Sequence, residues 1–314
     1  MASMEVSVSP YIAEFLQCAN APLLALVGPT SSGKTALSLK IATALSAQGS
    51  SVEVINADSR QLYRFLNIGT GKIIPDEMLG VPHHLLDVLD PREEVTAAWY
   101  KREAERVIAD IHARGHIPFL VGGSMLYVSA IIDNLEFVGR SAPTLRQRLQ
   151  DDLMRDGSDA LYQRLQELDP EGALRIDPRN TVYLLRALEV CESSGTTLQE
   201  AKKKNPSPYD LLILGKNLAR EEIHRRIEER INRMFAQGWP EEVMRLLARG
   251  YSVNDPGMQS VGYREIASQL TKGISVDSVK SDQALKDSIS AKTRQYARRQ
   301  LTWWRNDERI HWAT

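Results

Sequence analysis

The chain has 314 residues, of which 43% are apolar and 25% charged, so it is long enough for two domains and too apolar to be disordered by composition. Its net charge of −1 conceals a split: residues 1–200 carry 18 basic and 26 acidic side chains, whereas residues 201–314 carry 21 and 14. The total therefore excludes nothing about a polyanionic partner, and the basic C-terminal third needs a reason.

No apolar run nears the roughly 18–20 residues of a membrane span, and the first 33 residues hold no Lys or Arg for the charged start of a signal peptide. Cys18 and Cys191 form no CxxC pair, which argues against a disulfide scaffold or a cysteine zinc site. A cytoplasmic setting without membrane contact is expected.

Pro22–Val27 is a short apolar run ending at a Gly-rich turn, which predicts a buried parallel strand. A helix over 36–47 follows, then a strand over Val52–Ile55 entering Asn56-Ala57-Asp58-Ser59. Thr96–Arg114 reads as an amphipathic helix closed by Gly115. Ile117–Val121 is a third strand stopped by Gly122-Gly123, with helix again over 124–132. This alternation predicts an α/β fold with a parallel sheet flanked by helices.

Between about 137 and 195 only helices are predicted (145–154, 160–168 and 181–193), followed by a polar linker over Lys202–Pro208. A core strand over 211–214 and long helices over 220–237, 240–249 and 283–305 complete the chain. The expected division is a core over 1–136, a helical insertion over 137–204, and the rest of the core with basic C-terminal helices over 205–314.

Gly28-Pro29-Thr30-Ser31-Ser32-Gly33-Lys34-Thr35 fits the phosphate-loop pattern G-x-x-x-x-G-K-S/T. Glycines let backbone N–H groups turn towards phosphate oxygens, and the following helix adds its positive N-terminus. Lys34 supplies a point charge, and the Thr35 hydroxyl can ligate Mg²⁺. Hydrolytic NTPases add a hydrophobic strand ending in an acid; here the third strand ends in Gly122-Gly123-Ser124, and the acid, Asp58, ends the second. Asp58 thus faces the crevice where α/β ligands bind, or else caps a helix. Asn67–Lys72 resembles a second glycine loop but lacks its pattern, and a surface turn is expected there. Adjacent His83 and His84 cannot easily face one ion, so they do not suggest a metal site.

Residues 292–305 hold five basic residues, three aromatics and no acid. Ala297, Leu301 and Trp304 form an apolar stripe suited to packing, while Arg294, Arg298 and Arg305 share another face. That composition suits either a solvated face or an RNA-binding one.

Gly28–Thr35, Asn56–Tyr63, Ile68–Thr70, Pro82–Asp87, Val121–Tyr127, Arg186–Glu189, Ser260–Arg264 and Arg298–Trp303 occur in this order, and over about residues 22–312 the chain resembles the bacterial tRNA dimethylallyltransferase family, also called tRNA isopentenyltransferases. The resemblance implies a P-loop NTPase-like core with a helical insertion gripping the anticodon stem-loop. It also implies transfer of a dimethylallyl group from dimethylallyl diphosphate to N6 of adenosine 37 in tRNA.

Residue by residue, Gly28–Thr35 would hold the diphosphate with Arg230, and Mg²⁺ would sit on Thr35. Asp58 would be the general base and Lys34 would neutralise charge as the allylic C–O bond breaks, with Ser124 and Arg230 completing the catalytic set. Asp58, Ser59, Arg60, Gln61 and Ser124 would line the adenine pocket. Arg186, Gln259, Ser260, Val261, Gly262, Tyr263, Arg264, Arg298, Arg299, Thr302, Trp303 and Arg305 would hold the RNA. Ser124 replaces the family's usual threonine, and Tyr183 stands where many members carry arginine. A monomer is expected. A prenyltransferase acting on free adenine nucleotides, a kinase or NTPase using ATP at the same loop, and a non-catalytic RNA-binding protein remain as rivals.

Overall fold

A computed structural model describes residues 3–137, 143–202 and 205–313. Helix α1 (Ser3–Cys18) precedes β1 (Pro22–Val27), α2 (Lys34–Ala47), β2 (Val52–Asn56), β3 (His83–His84), α3 (Ala97–Ala113), β4 (Ile117–Val121) and α4 (Met125–Ile132). Next come α5 (Pro143–Leu168), α6 (Pro170–Ala173) and α7 (Thr181–Ser194). The chain resumes with β5 (Asp210–Lys216), α8 (Arg220–Ala236), α9 (Trp239–Ala248), α10 (Tyr263–Leu270), α11 (Val276–Ser281), α12 (Gln283–Trp304) and β6 (Ile310–Ala313).

The six strands form one parallel sheet in the order β3-β2-β4-β1-β5-β6. β2 and β4 are buried at every position because helices cover both faces; β4 accordingly reads as a continuous apolar run, whereas β2 carries Glu53 and Asn56 among its buried residues. Leu23, Ala25 and Val27 of β1 pack with Tyr100 and Ala104 of α3, Ile227 of α8 and Ala297 and Trp304 of α12. Leu24 and Leu26 point the other way, against Leu39, Ala42 and Leu45 of α2 and Ile12 of α1. The period-2 reversal of side chains thus assigns each helix to a face.

The chain divides into two compact units, one containing everything up to Ile132 and from Ser207 onward, the other Asp133–Pro206. The junctions fall at 132/133 and 206/207, where 136/137 and 204/205 were expected; residues 203 and 204 of the linker lie outside the described residues. The second unit has its own core of Leu149, Leu161, Leu165, Leu184, Ala187, Leu188 and Cys191. The helices expected over 145–154 and 160–168 are the two halves of α5, separated at Gly157, whose φ of 81° and ψ of 174° are not helical.

α1, β3, α6, α10, α11 and β6 were not predicted. β3 is two residues long and β6 four, too short for a readable alternation. α10 starts inside a segment expected only to touch RNA: Gly262 takes φ 87°, and the Glu265 side chain accepts from its N–H.

Candidate functional site

The loop from Gly28 to Thr35 runs from the end of β1 into α2, where the sequence pattern put it. At Gly28 the backbone passes so close to β5 that a Cβ would lie 2.2 Å from the Lys216 carbonyl. Ser31 and Gly33 take φ of 62° and 91°, the left-handed turns that curl the loop. Lys34 Nζ donates to the carbonyls of Gly28 at 3.0 Å and Pro29 at 2.8 Å. Burial pulls its pKa down to about 8, the Asp58 charge raising it and the Arg230 charge lowering it further. Ser31 Oγ and Ser32 Oγ are buried without a hydrogen-bond partner. Unsatisfied buried hydroxyls are costly, and a phosphate's oxygens would satisfy both. Thr35 stands exposed in the first turn of α2.

Arg230 of α8 reaches the loop from outside. Its Nη1 donates to Thr30 Oγ1 at 3.4 Å and its Nη2 to the Thr70 carbonyl at 2.9 Å. The Asn67–Lys72 segment is therefore not the surface turn that was expected. Thr70 and Lys72 are buried, with Lys72 Nζ on the Tyr63 carbonyl at 2.6 Å and on Asp87 Oδ1 at 2.5 Å. Buried Glu242 of α9 accepts from the N–H groups of Asn67 and Ile68, and Tyr263 OH donates to Glu242 while accepting from Gly69 N–H. A Cβ at Gly69 would collide with the Trp239 indole at 2.1 Å, so this glycine serves close packing instead of binding phosphate.

Asp58 lies just past the end of β2. The Asn56 side chain accepts from its N–H at 2.9 Å, and Asp58 Oδ1 accepts from Arg60 N–H at 2.9 Å, an Asx-type turn rather than a helix cap. Ser124, past the end of β4, accepts from Ser59 N–H at 2.8 Å and so ties the two strand ends together. On one side the Asp58 charge acts on Lys34 and Arg230, and on the other on Tyr127 and Tyr296. Burial raises the Tyr296 hydroxyl to about 12, with the Asp58 charge adding to the shift. These two tyrosines, with Ser59, Arg60, Ser124 and Gln259, line a cavity of about 580 Å³. Tyr127 is stacked on Tyr100 with centroids 4.2 Å apart.

The residues expected to hold RNA separate into two groups. Arg298, Arg299, Thr302, Trp303 and Arg305 are exposed on α12, and so are Gln259, Val261 and Arg264. Ser260, Gly262 and Tyr263 are buried. Tyr263 is fully enclosed on Glu242, and Ser260 Oγ donates to the Gly257 carbonyl at 2.6 Å, so their side chains hold the Asn67–Lys72 segment and the 257–262 turn instead of facing solvent. Gln61 Nε2 points back to the Thr70 carbonyl at 3.3 Å. In the second unit Arg186 is half-exposed and paired with buried Glu189 at 3.0 Å. His83 and His84 go to separate partners, the Val81 carbonyl and Glu53.

Three contributors escaped the sequence reading. Tyr127 and Tyr296 carried no motif of their own, although Tyr127 closes the Val121–Tyr127 segment. Gln300, which accepts from Thr30 N–H and donates to the Gly123 carbonyl, both at 2.8 Å, had a signal: it adjoins the apolar stripe of Ala297, Leu301 and Trp304, and with Ser290 it is a polar residue on the face that α12 buries.

A loop of phosphate-loop sequence between β1 and α2, backed by Arg230, with Asp58 and an aromatic-lined cavity at neighbouring strand ends, defines an α/β protein of the P-loop-like class. Residues 61–307 match the IPP transferase family model. The tRNA dimethylallyltransferase of Geobacter sulfurreducens is 42% identical over 294 residues, covering 93% of this chain and 91% of the relative. That of Thermomicrobium roseum is 41% identical over 292 residues, covering 93% and 85%. Among solved structures, the full-length tRNA isopentenylpyrophosphate transferase of Bacillus halodurans superposes with a TM-score of 0.67 at 36% identity, covering 93% of this chain and 89% of that one. A eukaryotic dimethylallyltransferase acting on tRNA gives a TM-score of 0.77 at 26% identity, covering 94% and 74%. The chain belongs to the IPP transferase family.

Proposed function

We propose that this chain transfers a dimethylallyl group from dimethylallyl diphosphate to N6 of adenosine 37 in the anticodon stem-loop of tRNA, releasing diphosphate. The observation that carries the reading is the position of Asp58 at the exit of β2, where its Oδ1 holds the N–H of Arg60 and it adjoins Ser59, both of the cavity wall, and its charge also bears on Lys34 and Arg230 of the loop. The diphosphate lies on Ser31, Ser32, Lys34 and Arg230. The adenine enters the cavity, which requires it to leave its stack in the RNA. The allylic C–O bond breaks as C1 bonds to N6, the electron pair leaves with the diphosphate, and one N6 proton passes to the Asp58 carboxylate. Lys34 and Arg230 stabilise the charge that develops on the leaving oxygen.

A divalent ion fits beside this loop only as a shared guest. Thr35 offers one hydroxyl, and among the described residues no three His, Cys, Asp or Glu side chains gather to hold a metal. Mg²⁺ bound there would share Thr35 with the diphosphate's own oxygens and supply positive charge to the leaving group. The exposed arginines of α12, with Trp303, would meet the RNA by phosphate and stacking contacts. Among the described residues no helix is long and apolar enough to cross a membrane. A monomeric, cytoplasmic enzyme is in keeping with such a substrate.

The test offers purified protein Mg²⁺ and dimethylallyl diphosphate with either unmodified tRNA or AMP. N6-prenylated adenosine in the tRNA is the expected product, and removing Mg²⁺ with a chelator should slow its formation. Preference for AMP would move the protein to the free-nucleotide class, and ATP turnover without either acceptor would make it an NTPase.

A further inference from the structure

We infer that Gln300 is a positioning residue that fixes the distance between the leaving-group end and the base end of the site; this rests on the transfer reading above. Gln300 is 1% exposed, near the C-terminal end of α12. Its Oε1 accepts from Thr30 N–H at 2.8 Å, and its Nε2 donates to the Gly123 carbonyl at 2.8 Å. One partner is an N–H and the other a carbonyl, so the network itself sets the orientation of the amide.

Each contact leads into one half of the chemistry. Thr30 belongs to the diphosphate loop, and its hydroxyl accepts from Arg230. Gly123 precedes Ser124, whose hydroxyl holds Ser59 next to Asp58. A single neutral amide therefore spans the two strand-end loops that must face each other across the reacting bond. The site admits no close substitute: a Cβ at Gly123 would lie 2.2 Å from Gln300 Nε2, so the glycine is shaped to this side chain. A carboxylate in place of the amide would lose the donor to Gly123 and set an anion beside the diphosphate. Arg298, Arg299, Thr302 and Trp303 surround Gln300 in sequence yet face solvent, so the strut can be altered without touching them.

The test compares Gln300→Met, which keeps the volume and drops both hydrogen bonds, with Gln300→Glu, which is isosteric and keeps only the acceptor for Thr30 N–H. Thermal melts establish folding, inorganic diphosphate titrated by calorimetry reports the loop, and filter binding reports tRNA. Gln300→Met is expected to lower kcat by up to about 100-fold, the cost of misplacing reacting groups by about an ångström. Its KM for tRNA should stay within about twofold. Gln300→Glu should in addition weaken inorganic diphosphate about tenfold, through charge repulsion. Gly123→Ala, which displaces the amide from the opposite side, should reproduce the kcat loss.

A purely packing role would lower the melting temperature and leave kcat per folded molecule unchanged, and that result overturns the inference. If instead the wild-type protein binds no inorganic diphosphate and prenylates no tRNA, the transfer reading fails, and the inference fails with it.

Discussion

Two polar centres lie five residues apart on β2 and its exit loop, and they are built on opposite principles. Around Glu53 every polar demand is met: the buried carboxylate receives Arg114 at 2.9 Å, His116 at 2.6 Å and His84 at 2.5 Å. Burial alone would raise its pKa, but the hydrogen bonds from Arg114, His116 and His84 outweigh that and hold it at about 2. Around Asp58 and the phosphate loop the demands are left open. Two serine hydroxyls are buried unpaired, and the Lys34 ammonium is pulled down to about 8. A closed ionic cluster stabilises a fold, whereas an open one has stability to gain when an anion arrives. The difference separates a charge that is closed off inside the fold from one left open at the end of the same strand.

Replacing the functional acid should give the largest effect. Asp58→Ala should lower prenyl transfer by about 10²–10⁴-fold, the range of a general base, with tRNA affinity and melting temperature unchanged. Single-turnover rates with saturating tRNA check this; a large fall in stability instead would put Asp58 in the same category as Glu53.

The converse holds for Glu53→Gln. It should leave transfer per folded molecule intact and cost about 2 kcal/mol at pH 7, at the lower end for a broken buried pair because Arg114 and His116 remain partly exposed. The folded pKa of about 2 lies below the ordinary 4.5, so the contribution is complete above pH 4.5 and is lost as the pH falls towards 2. Urea midpoints of wild type and variant should therefore converge between those two values.

The same contrast explains what the sequence disclosed. The phosphate loop and the sheet core were readable because each position answers a local demand: glycine for a turn, apolar runs for strands buried on both faces. Asp58 was readable from its place at a strand end. The Asn67–Lys72 segment was not, because its burial depends on Glu242, Tyr263 and Trp239, which lie about 170–195 residues away and approach only through α9 and α10. Ser260, Gly262 and Tyr263 looked like RNA contacts for the same reason: a motif marks that residues matter without saying whether they face solvent or the core. Gln300 was missed although the neighbouring apolar stripe was read as a packing face, because nothing in the sequence shows that Thr30 and Gly123 lie opposite it.

A smaller effect should distinguish Lys34 from an ordinary structural lysine. Binding diphosphate surrounds its ammonium with negative charge, so the bound pKa must lie above the free value of about 8. Between these two pKa values the free protein has lost a proton that the complex keeps. Affinity for inorganic diphosphate should therefore fall by up to about tenfold per pH unit above 8 and stay level just below it. Calorimetry in buffers of different ionisation enthalpy should show proton uptake on binding at pH 9 and little at pH 7. Lys34→Met should abolish both the slope and the uptake.

The smallest expected effect concerns the outer face of α12. Arg155 in the second unit is an exposed arginine already paired with Asp152 and Asp156 at 2.7 Å, the surface counterpart of the closed Glu53 cluster. Among the described residues neither Arg298 nor Arg299 has an acidic partner, unlike Lys292 of the same helix, which is paired with Glu265 at 2.6 Å, so their charge is available to a polyanion. If each neutralises one tRNA phosphate, removing both releases about two fewer counterions on binding, and the slope of log K against log salt should flatten by about 2. Arg155→Ala should leave that slope where it was, because its charge is already compensated. The measurement is tRNA binding across a salt series without dimethylallyl diphosphate, so that chemistry does not contribute. An unchanged slope for the double variant would return α12 to a solvated face, and the open-versus-closed distinction would then apply to the diphosphate end of the site alone.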